Sequence, residues 1–174
     1  MHQDIQCVND LQTIFQENRN STQDLLNNRV DEYLSNININ QLSERGFTPL
    51  FRAVAVDDLE VATMLLQRGA DPNIPNHYYE RTFSVAAELG NVNMMKELMQ
   101  YGADIHGRDN DKRTALMFAA GNGKLDATKF LISNGLDVNA VDNAGRSPAM
   151  YVIYAMKNKI PTSPDVLKCL ITNG

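Results

Sequence analysis

Apolar residues recur along the chain in short bursts at helical spacing, and from about residue 48 onward the bursts come in pairs. The second member of each pair is Leu-rich and amphipathic, as in Leu59-Glu60-Val61-Ala62-Thr63-Met64-Leu65-Leu66, with Val92 to Met99 and Leu125 to Ile132 repeating the design. Each stops just before a glycine, Gly69, Gly102 or Gly135, whose freedom to take positive φ suits a helix C-terminus. The first member is Ala-rich, as in Phe83 to Leu89 and Leu116 to Ala120, with Ala53, Ala86 and Ala119 at equivalent positions, where small side chains let neighbouring helices approach closely. Met64, Met94, Met95 and Met99 fall on the buried face and are expected to fill the core.

The pairs recur every 33 residues. Thr48-Pro49-Leu50 is followed at that spacing by Arg81-Thr82-Phe83, Thr114-Ala115-Leu116 and Ser147-Pro148-Ala149. A second anchor keeps step: Gly69-Ala70-Asp71-Pro72-Asn73, then Gly102-Ala103-Asp104-Ile105-His106, then Gly135-Leu136-Asp137-Val138-Asn139. Self-similarity at this period signals a stacked array, because one such unit cannot bury its own apolar face and must use its neighbour's.

The TPL-type turn, the Ala-Ala inner helix, the Leu-rich outer helix and the GADxN loop together resemble ankyrin repeats over residues 43–174. The resemblance implies a mostly α solenoid of helix-turn-helix units joined by β-turn fingers. Full units are expected at 43–75, 76–108, 109–141 and 142–174, the last with an insertion near 157–163 after which Ser163-Pro164-Asp165 restarts a helix. Residues 1–42 read as a degenerate N-terminal capping repeat, since Asn36-Ile37-Asn38-Ile39-Asn40 lies 33 residues before the first loop anchor. Ile5, Val8, Leu11, Ile14 and Phe15 form one candidate apolar stripe. Leu25, Leu26, Val30, Tyr33 and Leu34 form another, behind a Ser21/Asp24 capping box. No comparable cap is evident before Gly174, which suggests a fragment of a longer chain.

Two departures from the family pattern stand out. Phe51, Ser84, Met117 and Met150 occupy the position after TPL where a bracing histidine is common. Tyr79 stands at the turn site filled by Gly46 and Gly145, and because tyrosine takes positive φ at a cost, the second finger is expected to adopt a different turn. Its neighbour Tyr78 is either a binding residue or packed on an adjacent finger.

Composition narrows the function classes. The chain has 43% hydrophobic and 21% charged residues, as a folded domain does, and its net charge of −5 disfavours nucleic-acid binding. Charge runs from acidic in residues 1–40 to basic in 144–174. Cys7 and Cys169 stand alone, and the N-terminus has no signal-like core, so a cytoplasmic, reducing location and no membrane insertion are expected. The Asn20-Ser21-Thr22 sequon then carries no weight.

Catalytic, cofactor and metal residues are not expected. His2, His77 and His106 are scattered, with His106 read as a structural histidine in the place of Asn73 and Asn139. Gly121-Asn122-Gly123-Lys124 lacks the strand and the Ser or Thr of a phosphate loop and reads in register as the turn between two helices, and Asp57-Asp58 reads as a helix cap. The family resemblance instead implies protein recognition by finger tips and inner-helix positions: Arg45 and Phe47; His77, Tyr78 and Glu80 with Glu88 and Leu89; Asn110, Asp111 and Arg113 with Asn122; and Arg146 with Tyr154. Asn139 resembles the loop asparagines that asparaginyl hydroxylases modify. The resulting expectation is a non-catalytic, monomeric interaction module. The alternatives are the targeting or regulatory part of a larger enzyme or of an effector delivered into a host cell, and an end-to-end self-associating protein.

Overall fold

The computed structural model describes residues 9–14, 16, 23–36 and 38–174, and within these the chain is helix and turn with no strand. A helical stretch at 9–14 and α1 (Gln23–Leu34) precede four helix pairs. These are α2 (Pro49–Ala55) with α3 (Leu59–Gln67), α4 (Thr82–Leu89) with α5 (Val92–Gln100), α6 (Ala115–Gly121) with α7 (Leu125–Ser133), and α8 (Pro148–Lys157) with α9 (Pro164–Thr172). The inner helices α2, α4, α6 and α8 pack side by side in one row, and the outer helices α3, α5, α7 and α9 form a second row behind them.

The core follows the two apolar patterns. Ala53, Ala86 and Ala119 are fully buried between inner helices, with Val152 next in the row. Met94 and Met95 are fully buried and Met64 nearly so, as their spacing predicts. Phe51, Ser84 and Met117 are also buried, so side-chain packing fills the sites where the family often places a bracing histidine; Met150, by contrast, is 52% exposed. Thr48 and Thr114 cap their inner helices by accepting hydrogen bonds from the backbone N–H groups of Phe51 and Met117. Arg81 offers no such cap, and in that unit the Thr82 hydroxyl bonds the Pro72 carbonyl at 2.7 Å instead.

Helix ends behave as the glycines imply. Gly69, Gly102 and Gly135 take φ of +87°, +80° and +83°. In the inter-helix turns the left-handed residue is Asp57, Gly90 or Gly123. Asp58 caps α3 through the Val61 N–H, as expected of the Asp57-Asp58 pair; Asp57 does not cap, and accepts from Asn91 Nδ2 at 2.7 Å, joining two successive turns. In the last unit α8 runs to Lys157, and α9 begins at Pro164 with Ser163 accepting from the Asp165 N–H. The inserted loop rests on the previous inter-helix turn, since a Cβ on Gly123 would lie 2.8 Å from Thr162 Cα.

At the N-terminal end Leu11, Val30 and Leu34 are buried, and the Tyr33 hydroxyl donates to Asp10. Ile5, Val8, Phe15, the sequon, Ser21 and the side chains of Asp24, Leu25 and Leu26 lie outside the described residues.

One expectation is overturned. Tyr79 does not alter its finger: it adopts φ of +62°, in line with Gly46 (+76°), Lys112 (+60°) and Gly145 (+75°). The reason lies three residues earlier, where Asn76 Oδ1 accepts from both the Tyr78 and Glu80 N–H groups at 2.9 Å and holds the turn shut. Asp109 and Asp142 hold their fingers by the same pair of bonds.

Candidate protein-docking face

The fingers present one edge of the inner-helix row. At the first two, Arg45, His77 and Tyr78 are exposed, with Tyr78 at 69% and Tyr79 at 57%. Both tyrosines therefore project rather than pack away. His77 lies across Gly46, where any Cβ would collide with the imidazole. Phe47 is half-buried, its ring 5.0 Å from that of Phe51 and beneath the Arg52 guanidinium. Glu80 accepts from Asn76 Nδ2 at 2.8 Å, and Leu89 is exposed near the end of α4. Asn110 and Asp111 form the third tip, where their carbonyls accept from Nδ2 and N of Asn143 and tie it to the fourth finger.

The other predicted residues converge elsewhere. Glu88, Arg113, Asn122, Arg146 and Tyr154 line a depression of about 310 Å³ over α6 and α8. Its floor includes residues that the register argument passed over: Met117, Phe118, Met150 and Tyr151, with Ile160 from the insertion at the rim. The opening exists because the equivalent positions 88, 121 and 154 read Glu, Gly, Tyr, so the middle of the row carries no side chain. Arg113 and Phe118 are five residues apart, as are Arg146 and Tyr151, and that shared spacing was the available sequence signal.

Each arginine is held on two sides. Arg113 Nε donates to Asp109 Oδ2 at 2.6 Å, with its guanidinium 4.7 Å from the Phe118 ring centroid. Arg146 Nε donates to Asp142 Oδ2 at 2.7 Å and sits 5.1 Å from the Tyr151 centroid. The side chains of Asp109 and Asp142 are only 4% and 0% exposed while the arginines are 29% and 53% exposed, so each cation is presented over a hidden partner; the exposed Asp111 carboxylate also lies 3.9 Å from Arg113 Nε.

Burial opposes the charged form of Asp142, but bonds from the Arg146 N–H, the Tyr151 hydroxyl at 2.7 Å, the Arg146 guanidinium and the Ala144 N–H outweigh it. They hold the carboxyl well below the usual range. The Tyr151 hydroxyl is pushed up to about 12, by burial first and then by its bond to the Asp142 carboxylate. Glu88 is shifted upward, by desolvation of its carboxyl first and by Glu80 second, against the pull of Arg113 and Lys124.

Two further expectations meet the structure here. Asn40 and Asn73 each bridge to the next loop: Asn73 Nδ2 donates to the Gly102 carbonyl at 2.9 Å and its Oδ1 accepts from the Asp104 N–H at 2.8 Å. His106, read as a structural equivalent, makes no such bridge; its side chain is exposed and forms no hydrogen bond among the described residues. Asn139 is exposed in its loop, with its backbone N–H on Asp137 Oδ1 at 2.8 Å.

Comparison with known families agrees with the repeat geometry. A model of ankyrin repeats in three copies matches residues 83–174, and a single ankyrin-repeat model matches residues 45–77. The chain belongs to the ankyrin-repeat family. Ankyrin repeats generally act as protein-interaction modules. Among the described residues of this ankyrin array, no His, Cys, Asp and Glu group could hold a metal, and no helix is long and apolar enough to cross a membrane.

Proposed function

We propose that this ankyrin array is a non-catalytic module that binds a protein partner through its inner-helix face, centred on the depression over α6 and α8. The observation that carries the reading is the depression itself: an apolar and aromatic floor flanked by two arginines whose orientation is already fixed by a buried aspartate and a ring. Aromatic residues and arginine most often anchor interfaces, and preorganised side chains lose little entropy on binding. The exposed tyrosines of the second finger extend the same edge, and a face of this kind recognises its partner with little backbone change.

Affinity capture from lysate followed by mass spectrometry, comparing the native chain with a Tyr154→Ala, Arg146→Gln variant of unchanged melting temperature, tests this. A protein retained by the native chain and lost by the variant is the expected result. Equal retention by both, or no specific retention by either, would count against it.

A further inference from the structure

The depression is small for a protein interface. About 310 Å³ is at the low end of ligand pockets, which run from roughly 300 to 1,000 Å³, and it suits one or two large side chains rather than a folded surface. Its middle is open because Gly121 stands between Glu88 and Tyr154, and the space above Gly121 is faced by Phe118, Met150 and Tyr151. A Cβ on Gly121 would lie 3.4 Å from Tyr151 Cβ, ordinary contact, so nothing in the protein requires glycine there. A side chain brought by a partner fills what the chain leaves empty.

Charge fixes what must accompany that side chain. At the finger end of the depression, Arg113 and Arg146 use Nε on their own aspartates, and their terminal guanidinium nitrogens donate to no protein acceptor facing the opening among the described residues. The hydrogen-bonded carboxylates of Asp109 and Asp142 are buried behind them, while the exposed Asp111 carboxylate lies 3.9 Å from Arg113 Nε, so it is Arg146 above all that meets an arriving group with donors in a fixed plane. Glu88, contributed by α4 and within electrostatic reach of Arg113, disfavours an anion at its own flank.

Resting on the interaction reading above, we infer that the partner is an extended segment carrying a large apolar or aromatic side chain that inserts over Gly121, beside an Asp or Glu whose carboxylate pairs with Arg146 and Arg113. The segment runs with its acidic residue toward the fingers and its apolar residue toward Tyr154. A basic residue in place of the acid meets two fixed guanidinium groups and is rejected.

A random dodecapeptide display library selected on the intact chain, with recovered peptides measured by fluorescence polarisation, tests this. The expected consensus pairs Phe, Trp, Leu or Met with Asp or Glu one to three positions away. Gly121→Leu fills the depression and weakens binding at least about tenfold. Arg146→Gln and replacement of the peptide acid by its amide each weaken binding severalfold, and their combination is less than additive. Tyr154→Ala, on the exposed rim, serves if Gly121→Leu alters the melting temperature. Recovery of basic peptides sensitive to Glu88→Gln, of peptides sensitive to Tyr78→Ala but not to Gly121→Leu, or of no peptide overturns the inference. A captured protein partner that still binds the Gly121→Leu chain overturns it too while leaving the module reading standing; failure to capture any partner sinks the module reading itself.

Discussion

Replacing His106 with asparagine should stabilise the protein, and the reason can be worked out bond by bond. Asn40 donates to the Gly69 carbonyl at 3.2 Å and accepts from the Asp71 N–H at 2.8 Å; Asn73 repeats both bonds one unit later. The third rung should join residue 106 to the Gly135 carbonyl and the Asp137 N–H, and among the described residues neither group has a protein partner there. The backbone is ready for it, because the N–H of residue 106 bonds Asp104 Oδ1 at 3.0 Å just as that of Asn73 bonds Asp71 Oδ1 at 2.8 Å.

Two neutral hydrogen bonds contribute about 0.5–1.5 kcal/mol each at most sites, and at exposed loops the lower end applies, so His106→Asn should add about 1 kcal/mol. For a chain of this size that is about 2–4 °C in melting temperature. The reciprocal change, Asn73→Ala, should cost about 1–2 kcal/mol. In an array coupled only between neighbours, the gain belongs to the junction of the second and third full units, so hydrogen exchange should slow chiefly in α4 to α7, with less change in α2 and α3 at one end and in α8 and α9 at the other. Urea unfolding with amide exchange on both variants measures this. An unchanged or lowered midpoint for His106→Asn with the fold intact would refute the bridging argument, as would protection spread evenly over all units.

Tyr79→Gly should raise stability by about 0.5–1 kcal/mol, since relief of about 1–2 kcal/mol of left-handed strain exceeds the roughly 0.5–1 kcal/mol entropy cost of glycine; Tyr79→Val, branched at Cβ, should lose about 1 kcal/mol or more in the same melts. The depressed Asp142 carboxyl makes the unfolded chain take up its proton first. Its contribution is therefore complete above the ordinary aspartate value of about 4 and is lost as pH falls from there toward the lower folded value. Asp142→Asn should flatten that acid limb and cost about 2 kcal/mol at neutral pH, because the Tyr151 hydroxyl and Arg146 Nε lose their charged acceptor. Urea midpoints measured from pH 7 down to about 3 follow both effects.

The repeat architecture was readable because two anchors at one spacing are independent of each other, and burial of Ala53, Ala86 and Ala119 follows directly from the need for close inner-helix approach. The start of α9 was readable because Ser163 and Pro164 carry helix-start chemistry. The depression was half legible. Arg113, Arg146, Glu88, Asn122 and Tyr154 were reached by register, but the floor was not, because register assigns a position to a face without saying whether its neighbour is filled. Gly121 read as part of a turn, and only the row Glu88, Gly121, Tyr154, seen across three helices, turns its missing side chain into a space. His106 misled for a related reason: its position implies a bridge, whereas its side chain has to place a donor and an acceptor on two groups of the next loop at once. The planar carboxamide of asparagine does this; the imidazole here does not.

The fingers show why a glycine rule failed at Tyr79. A left-handed residue is costly when its turn is free to choose another shape, and cheap to retain when neighbouring bonds leave no alternative. In the first finger the base is Ser43, whose hydroxyl accepts from the Phe47 N–H, and the left-handed site is glycine, which His77 requires in any case by lying across it. In the second and third, Asn76 and Asp109 each accept two backbone N–H bonds from within the turn, and there tyrosine and lysine appear. An Asx side chain at the base thus permits a residue other than glycine at the left-handed position without demanding one, since Asp142 makes the same bonds around Gly145, and where it is used the finger gains a large exposed side chain at its tip. The trade is local strain for surface area, and it falls on the two fingers nearest the middle of the finger edge. Asn76→Ala should therefore disorder the second finger in hydrogen exchange far more when residue 79 is tyrosine than when it is glycine; equal loss of protection in both backgrounds would show that the side-chain clamp is not what permits tyrosine there.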